Sequence, residues 1–183
     1  EKNYYDKVLN QLKELPYKVE ELLEGEDAIA ELAKKYYRKE QVFFIGRGLD
    51  SGVSYEGSLK LKEISYINSF AIAAGELKHG TIALMEDETL VFALATQDFL
   101  YEKMISNVEE IKARGARVIG MAKQGRKEME SVADEVIYIP SCIDEVSPVL
   151  AVIPLQIFAY YVAKERGCNI DKPKNLAKSV TVE

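Results

Sequence analysis

The chain has 183 residues, enough for one domain with a full hydrophobic core. Its 48% hydrophobic and 30% charged residues place it in the ordinary globular range. A net charge of −6 gives no overall field that would draw it to nucleic acid or an acidic membrane, so an anionic substrate must be held by local positive groups.

The start, EKNYYDKVLNQLKEL, is charged and amphipathic, unlike a signal peptide, and the missing initiator Met predicts a piece of a longer protein. Val8, Leu12, Leu15, Val19, Leu22 and Leu23 recur at helical intervals, predicting a helix broken or bent at Pro16. A second helix is expected from about Asp27 to Tyr37. QVFFIG (41–46) then reads as a strand buried on both faces, ending in Gly46-Arg47-Gly48 at a strand-to-helix turn. Four more apolar runs follow: FAIAA (70–74), LVFALA (90–95), RVIGMA (117–122) and EVIYIP (135–140). Helical patterns separate them at Ser51–Ile67, Asp98–Arg114 and Lys127–Ala133. A long helix is expected over Pro148–Arg166, with Gly167 as its stop.

Val146–Ala163 carries no charged residue, but its prolines, Gln156 and tyrosines read better as a buried core helix than as a span of about 20 apolar residues. Strands alternating with helices predict an α/β fold: a doubly wound, five-stranded parallel sheet flanked by helices. Such sheets bind ligands beyond the carboxyl ends of their strands, which points to Gly46–Gly48 and to Ala74–Gly80. Gly46–Gly52 could cradle a phosphate at a helix N-terminus, but it lacks the spacing of a dinucleotide or triphosphate loop.

Glu56, Lys60 and Glu63 share one arc of the helix from Ser51, at roughly 0°, 40° and −20°. The sequence puts Val53, Leu59 and Ile64 on that arc and Ser54, Ser58, Lys62 and Ser65 opposite, so the charged trio is expected on the apolar side, paired and partly buried. Such a cluster can be catalytic or structural. His79, the sole histidine, stands in a loop ending in Gly80, where an imidazole suits proton transfer. With one histidine and no cysteine pair nearby, no metal site is expected. Cys142 and Cys168 lack metal or redox spacing and suggest a reducing cytosol. Lys178 lies in a tail with Pro173, Leu176, Val180 and Val182. Docked beside apolar walls, its amine would lose pKa and could attack a carbonyl.

Taken together, FIGRG, EGSLKLKEISYI, AAGELKHG and NLAKSVTVE closely resemble the C-terminal sugar isomerase (SIS) half of the glutamine–fructose-6-phosphate aminotransferase (isomerizing), or glucosamine-6-phosphate synthase, family, from about Glu40 to Glu183. The resemblance implies transfer of glutamine-derived ammonia to fructose 6-phosphate, giving glucosamine 6-phosphate, without a cofactor or metal. It makes Lys178 the Schiff-base lysine, Glu63 the carboxylate moving a proton between C1 and C2, and His79 the ring-opening histidine, serving a neighbouring subunit. Glu56 and Lys60 would line the substrate pocket.

The implied organisation is a helical segment (1–38), the SIS domain (39–168) and an active-site tail (169–183). The implied partners are the sugar phosphate, a first SIS half that supplies the phosphate grip, a glutaminase domain and a second copy of the chain, in the cytoplasm, with no nucleic acid and no membrane. Asn68 and Thr81 stand where several relatives have His and Pro. No N-terminal nucleophilic cysteine is present, so glutamine hydrolysis is not expected of this piece, and without the first SIS half it is expected to be inactive or weak alone. The alternatives are a non-catalytic, sugar-phosphate-binding regulatory SIS module and a dimerisation scaffold. The second would favour apolar residues at 56, 60 and 63.

Overall fold

The computed structural model describes residues 2–174. Five strands, β1 (Gln41–Gly46), β2 (Asn68–Ala73), β3 (Leu90–Ala95), β4 (Arg117–Lys123) and β5 (Glu135–Ile139), form one parallel sheet in the order β2-β1-β3-β4-β5. The expected doubly wound α/β architecture is therefore present. β3 is buried at all six positions, because helices cover both faces, and that is why its sequence is apolar without alternation.

On one face, Phe44 and Phe92 pack with residues of α2 (Glu26–Tyr36), α3 (Leu49–Ser65) and α6 (Ser147–Glu165). On the other, Phe43, Val91 and Ala93 pack with α4 (Tyr101–Lys112) and with Met129 of the short α5 (Glu128–Val132). The order reverses between β1 and β3, so the fold's switch point lies at their carboxyl ends.

Three expectations need correction. α1 runs from Lys2 to Glu24 with Pro16 inside it, so of the two outcomes expected there the break does not occur. The lost amide hydrogen bond is offset by anchors on both sides: Tyr4 Oη donates to Glu145 (2.6 Å) and Lys18 Nζ to the Ser141 carbonyl (2.8 Å), while Leu22 is buried. β2 begins at Asn68 rather than Phe70, because Gln41 and Asn68 start the ladder with β1 and Ser69 Oγ is satisfied by the Ser58 carbonyl at 2.7 Å. Residues 74–79, beyond that strand, form a 3-10 helix.

By length and composition alone α6 could cross a membrane, but Leu150, Leu155, Phe158 and Val162 are at most 1% exposed, as expected of a core helix. At the amino edge of the sheet, Asp134 accepts from Lys112 Nζ (2.7 and 2.8 Å), Arg117 Nη1 (3.0 Å) and the Val118 amide (2.8 Å). Burial works against its charge, yet these donors hold its carboxyl below the usual range. A depressed folded pKa contributes stability above the ordinary carboxylate pKa and loses it as pH falls through the depressed value. Asp134→Asn should cost about 2 kcal/mol at neutral pH, with a gap to the parent that closes under acid. Urea unfolding of both proteins at neutral and acidic pH measures this.

Candidate active site

The deep face of α3 is its small-residue face. Ser54, Gly57, Ser58, Leu61 and Ser65 are buried, whereas Leu59, expected on the buried side, is 43% exposed. The apolar-arc reading is thus corrected: the charged trio lies on the flank away from the core, and the serines face inward. Small side chains let α3 close on α6 and the sheet; a Cβ on Gly57 would stand 2.6 Å from Leu155 Cδ1 and 3.1 Å from Phe44. The serines stay satisfied locally. Ser65 Oγ donates to the Leu61 carbonyl (2.5 Å), and Ser58 Oγ bonds Ser69 Oγ (3.0 Å).

Glu56, Lys60 and Glu63 still meet. Lys60 Nζ lies 2.7 Å from Glu63 and 3.7 Å from Glu56, with side-chain exposures of 34%, 26% and 40% respectively. The bond to Glu63 raises the Lys60 pKa, against a smaller opposing effect of burial, so this lysine is a fixed cation and not a nucleophile. Half-exposed helical pairs stabilise by only about 0.5 kcal/mol each, so stability alone is a weak reason for the cluster. Chemically it offers a carboxylate base held in place by an ammonium.

His79 is 74% exposed at the end of the 3-10 helix Ala74–His79, where its nearest charged group is Glu76 at 3.9 Å. Among the described residues no hydrogen bond or ion pair joins it to the trio. Its segment belongs to the layer of α4, with Leu77 wholly buried there, whereas α3 lies against α6. Lys178 lies outside the described residues.

The switch point holds a buried polar network that the sequence reading missed. Asp50, in the first turn of α3, is 1% exposed and accepts from the Thr96 amide (2.7 Å) and hydroxyl (2.5 Å). Thr96 Oγ1 reaches Ser147 Oγ (2.9 Å), which also accepts from Gln97 Nε2 (2.8 Å). Lys123, 4% exposed, pairs with Asp98 (2.9 Å) and Asp144 (2.6 Å). Burial raises the Asp50 pKa although the Thr96 bonds oppose it. Burial disfavours the Lys123 charge, but its two carboxylates hold the ammonium above its ordinary value. From within the segment read as a possible phosphate cradle, Asp50 thus turns its carboxylate to the end of β3. Polar residues at the carboxyl ends of two neighbouring strands, Thr96 just after β3 and Lys123 as the last residue of β4, were the available signal.

The SIS domain family model matches residues 35–166. This chain belongs to the SIS domain family. Over 176 residues, 96% of its length, it is 59% identical to the glutamine–fructose-6-phosphate aminotransferase (isomerizing) of Caldanaerobacter subterraneus subsp. tengcongensis, spanning 29% of that protein. The C-terminal domain of the glucosamine-fructose-6-phosphate aminotransferase from Francisella tularensis superposes with a TM-score of 0.84 at 34% identity, covering 91% of this chain and 47% of that one. A glucosamine-6-phosphate deaminase from Thermotoga maritima follows at 0.63 and 29%, covering 87% and 48%. The resemblance read from the motifs, to a C-terminal SIS half, is borne out.

In this SIS domain Lys60 links the two carboxylates of the trio. Lys60→Gln removes the ammonium between two carboxylates at helical spacing, leaving like charges together. The thermal midpoint should nonetheless change little, because half-exposed helical pairs contribute only about 0.5 kcal/mol each; calorimetric unfolding of both proteins measures this.

Proposed function

We propose that this chain is the second SIS half of the isomerase unit of a glutamine–fructose-6-phosphate aminotransferase, which converts fructose 6-phosphate and glutamine-derived ammonia to glucosamine 6-phosphate. The observation that carries this reading is 59% identity across 96% of the chain to such an enzyme. The paired Glu56–Lys60–Glu63 cluster on α3 supports it.

His79 opens the sugar ring. The Lys178 amine adds to the C2 carbonyl and loses water, giving an iminium that draws electrons from C1. Ammonia displaces the lysine at C2, Glu63 takes a proton from C1, and the resulting enolamine is reprotonated at C2, leaving an aldehyde at C1 and an amine at C2. No oxidant is consumed, because C2 is reduced as C1 is oxidised. Lys60 holds Glu63 in place, and Glu56 lines the same pocket.

The 74% exposure of His79, with Glu76 rather than Glu63 beside it, supports a homodimer in which it serves the partner's sugar. A first SIS half supplies the phosphate contacts and a glutaminase domain the ammonia, in the cytoplasm, with neither nucleic acid nor membrane as partner. A non-catalytic sugar-phosphate module would need no imine-forming lysine.

An exposed lysine of pKa about 10.4 is almost wholly protonated at neutral pH, so the imine needs a sheltered tail. Borohydride trapping with fructose 6-phosphate should label Lys178 when this chain is joined to a first SIS half, and label little in the chain alone. Labelling of another lysine, or none in the joined protein, would remove Lys178 from the mechanism.

A further inference from the structure

The start of α3 and the start of the histidine-bearing 3-10 helix meet at one side chain. Arg47 follows β1 directly and precedes the helix that carries Glu63. Its Nε donates to Asn107 Oδ1 on α4 at 2.9 Å. Its guanidinium also lies over Gly75, where a Cβ would stand 3.4 Å from Nη1 and 3.7 Å from Nη2. The guanidinium is thus packed beside the first turn of the 3-10 helix at ordinary van der Waals spacing.

A second tie reaches the same segment: Lys78 Nζ meets Glu110 on α4 at 2.7 Å. The two differ in quality. The Lys78 side chain is 64% exposed, and the second Glu110 oxygen is buried without a hydrogen-bond partner. Asn107, by contrast, is only 5% exposed, and its bond to Arg47 is charge-assisted and partly buried. Leu77, wholly buried, fixes the depth of the segment but says nothing of its lateral position against α3.

We propose that Arg47, held by Asn107 and seated on Gly75, is a positioning residue that sets the place of His79 relative to the Glu63 helix. The inference rests on the proposed role of His79 for its catalytic consequence, but the positioning itself does not. Arg47 touches neither His79 nor the trio through any described hydrogen bond; it acts through the backbone at Gly75.

The chain has one histidine, so its imidazole proton resonances report on this segment alone. In Arg47→Ala, the amides of Glu76–His79 should exchange about tenfold faster than in the parent and the His79 resonance should shift or broaden, while core amides of β3 and β4 keep their protection. Asn107→Ala should do the same more weakly. Lys78→Ala should not, since its tie is exposed. Arg47→Lys should fail to restore the parent spectrum, because an ammonium lacks the flat fork that lies over Gly75. If Arg47→Ala does not fold, Asn107→Ala and Arg47→Lys carry the test. Unchanged exchange and an unchanged His79 resonance in the folded variants would overturn the proposal. Joined to a first SIS half, Arg47→Ala should lower kcat for the sugar reaction more than it raises KM. If His79→Ala leaves that reaction intact, the functional reading fails, while the exchange and resonance data still decide the positioning.

Discussion

The approach of α3 to α6 and to the sheet is the constraint on which the rest depends. It exists because Gly57 and three serines stand where larger side chains would hold the helix off. A bulkier residue at 57 would push α3 from Leu155 and Phe44, at a cost of about 1–3 kcal/mol for overpacking. More than stability is at stake, since Glu56, Lys60 and Glu63 ride on the opposite flank of the same helix. The packing of the helix's buried face thereby decides where the carboxylates point.

The five strands were legible because both faces of the sheet are covered, which forces uninterrupted apolar runs such as LVFALA and RVIGMA. The trio was legible from spacing alone, since residues four and three apart on a helix must be neighbours. Its orientation was not. Hydropathy ranks serine as polar, whereas Ser65 here returns its proton to the carbonyl four residues back and Ser58 pairs with Ser69 across to β2. A buried serine that bonds its own helix costs little, and that possibility is invisible to a count of apolar positions. Pro16 misled for a related reason: its local penalty was read correctly, but the tertiary anchors around it, Tyr4 to Glu145 and Lys18 to Ser141, lie more than a hundred residues away in sequence.

The Asp50 network was hidden for the same cause. Its members stand 46 and 51 residues apart, and neither Thr96 nor Ser147 belongs to any motif. Only the strand order, with its reversal between β1 and β3, brings them together. An acid buried there is costly, and the burial that raises its pKa is partly offset by the two Thr96 donors. The cluster ties the first turn of α3 to the end of β3 and the start of α6, so the helix that bears the trio is pinned at its N-terminus as well as along its face.

One consequence of this arrangement concerns the order of assembly. The helix with the carboxylates, strand β2 and the histidine turn are contiguous in the chain, from Leu49 to His79. Their mutual contacts close short loops, which form at little entropic cost and early in a folding reaction. The Asp50–Thr96–Ser147 bonds, by contrast, wait for β3 and for the last helix. A nascent chain emerging from the ribosome would therefore lay out the helix of the trio and the histidine turn first and fasten them only once α6 had been made.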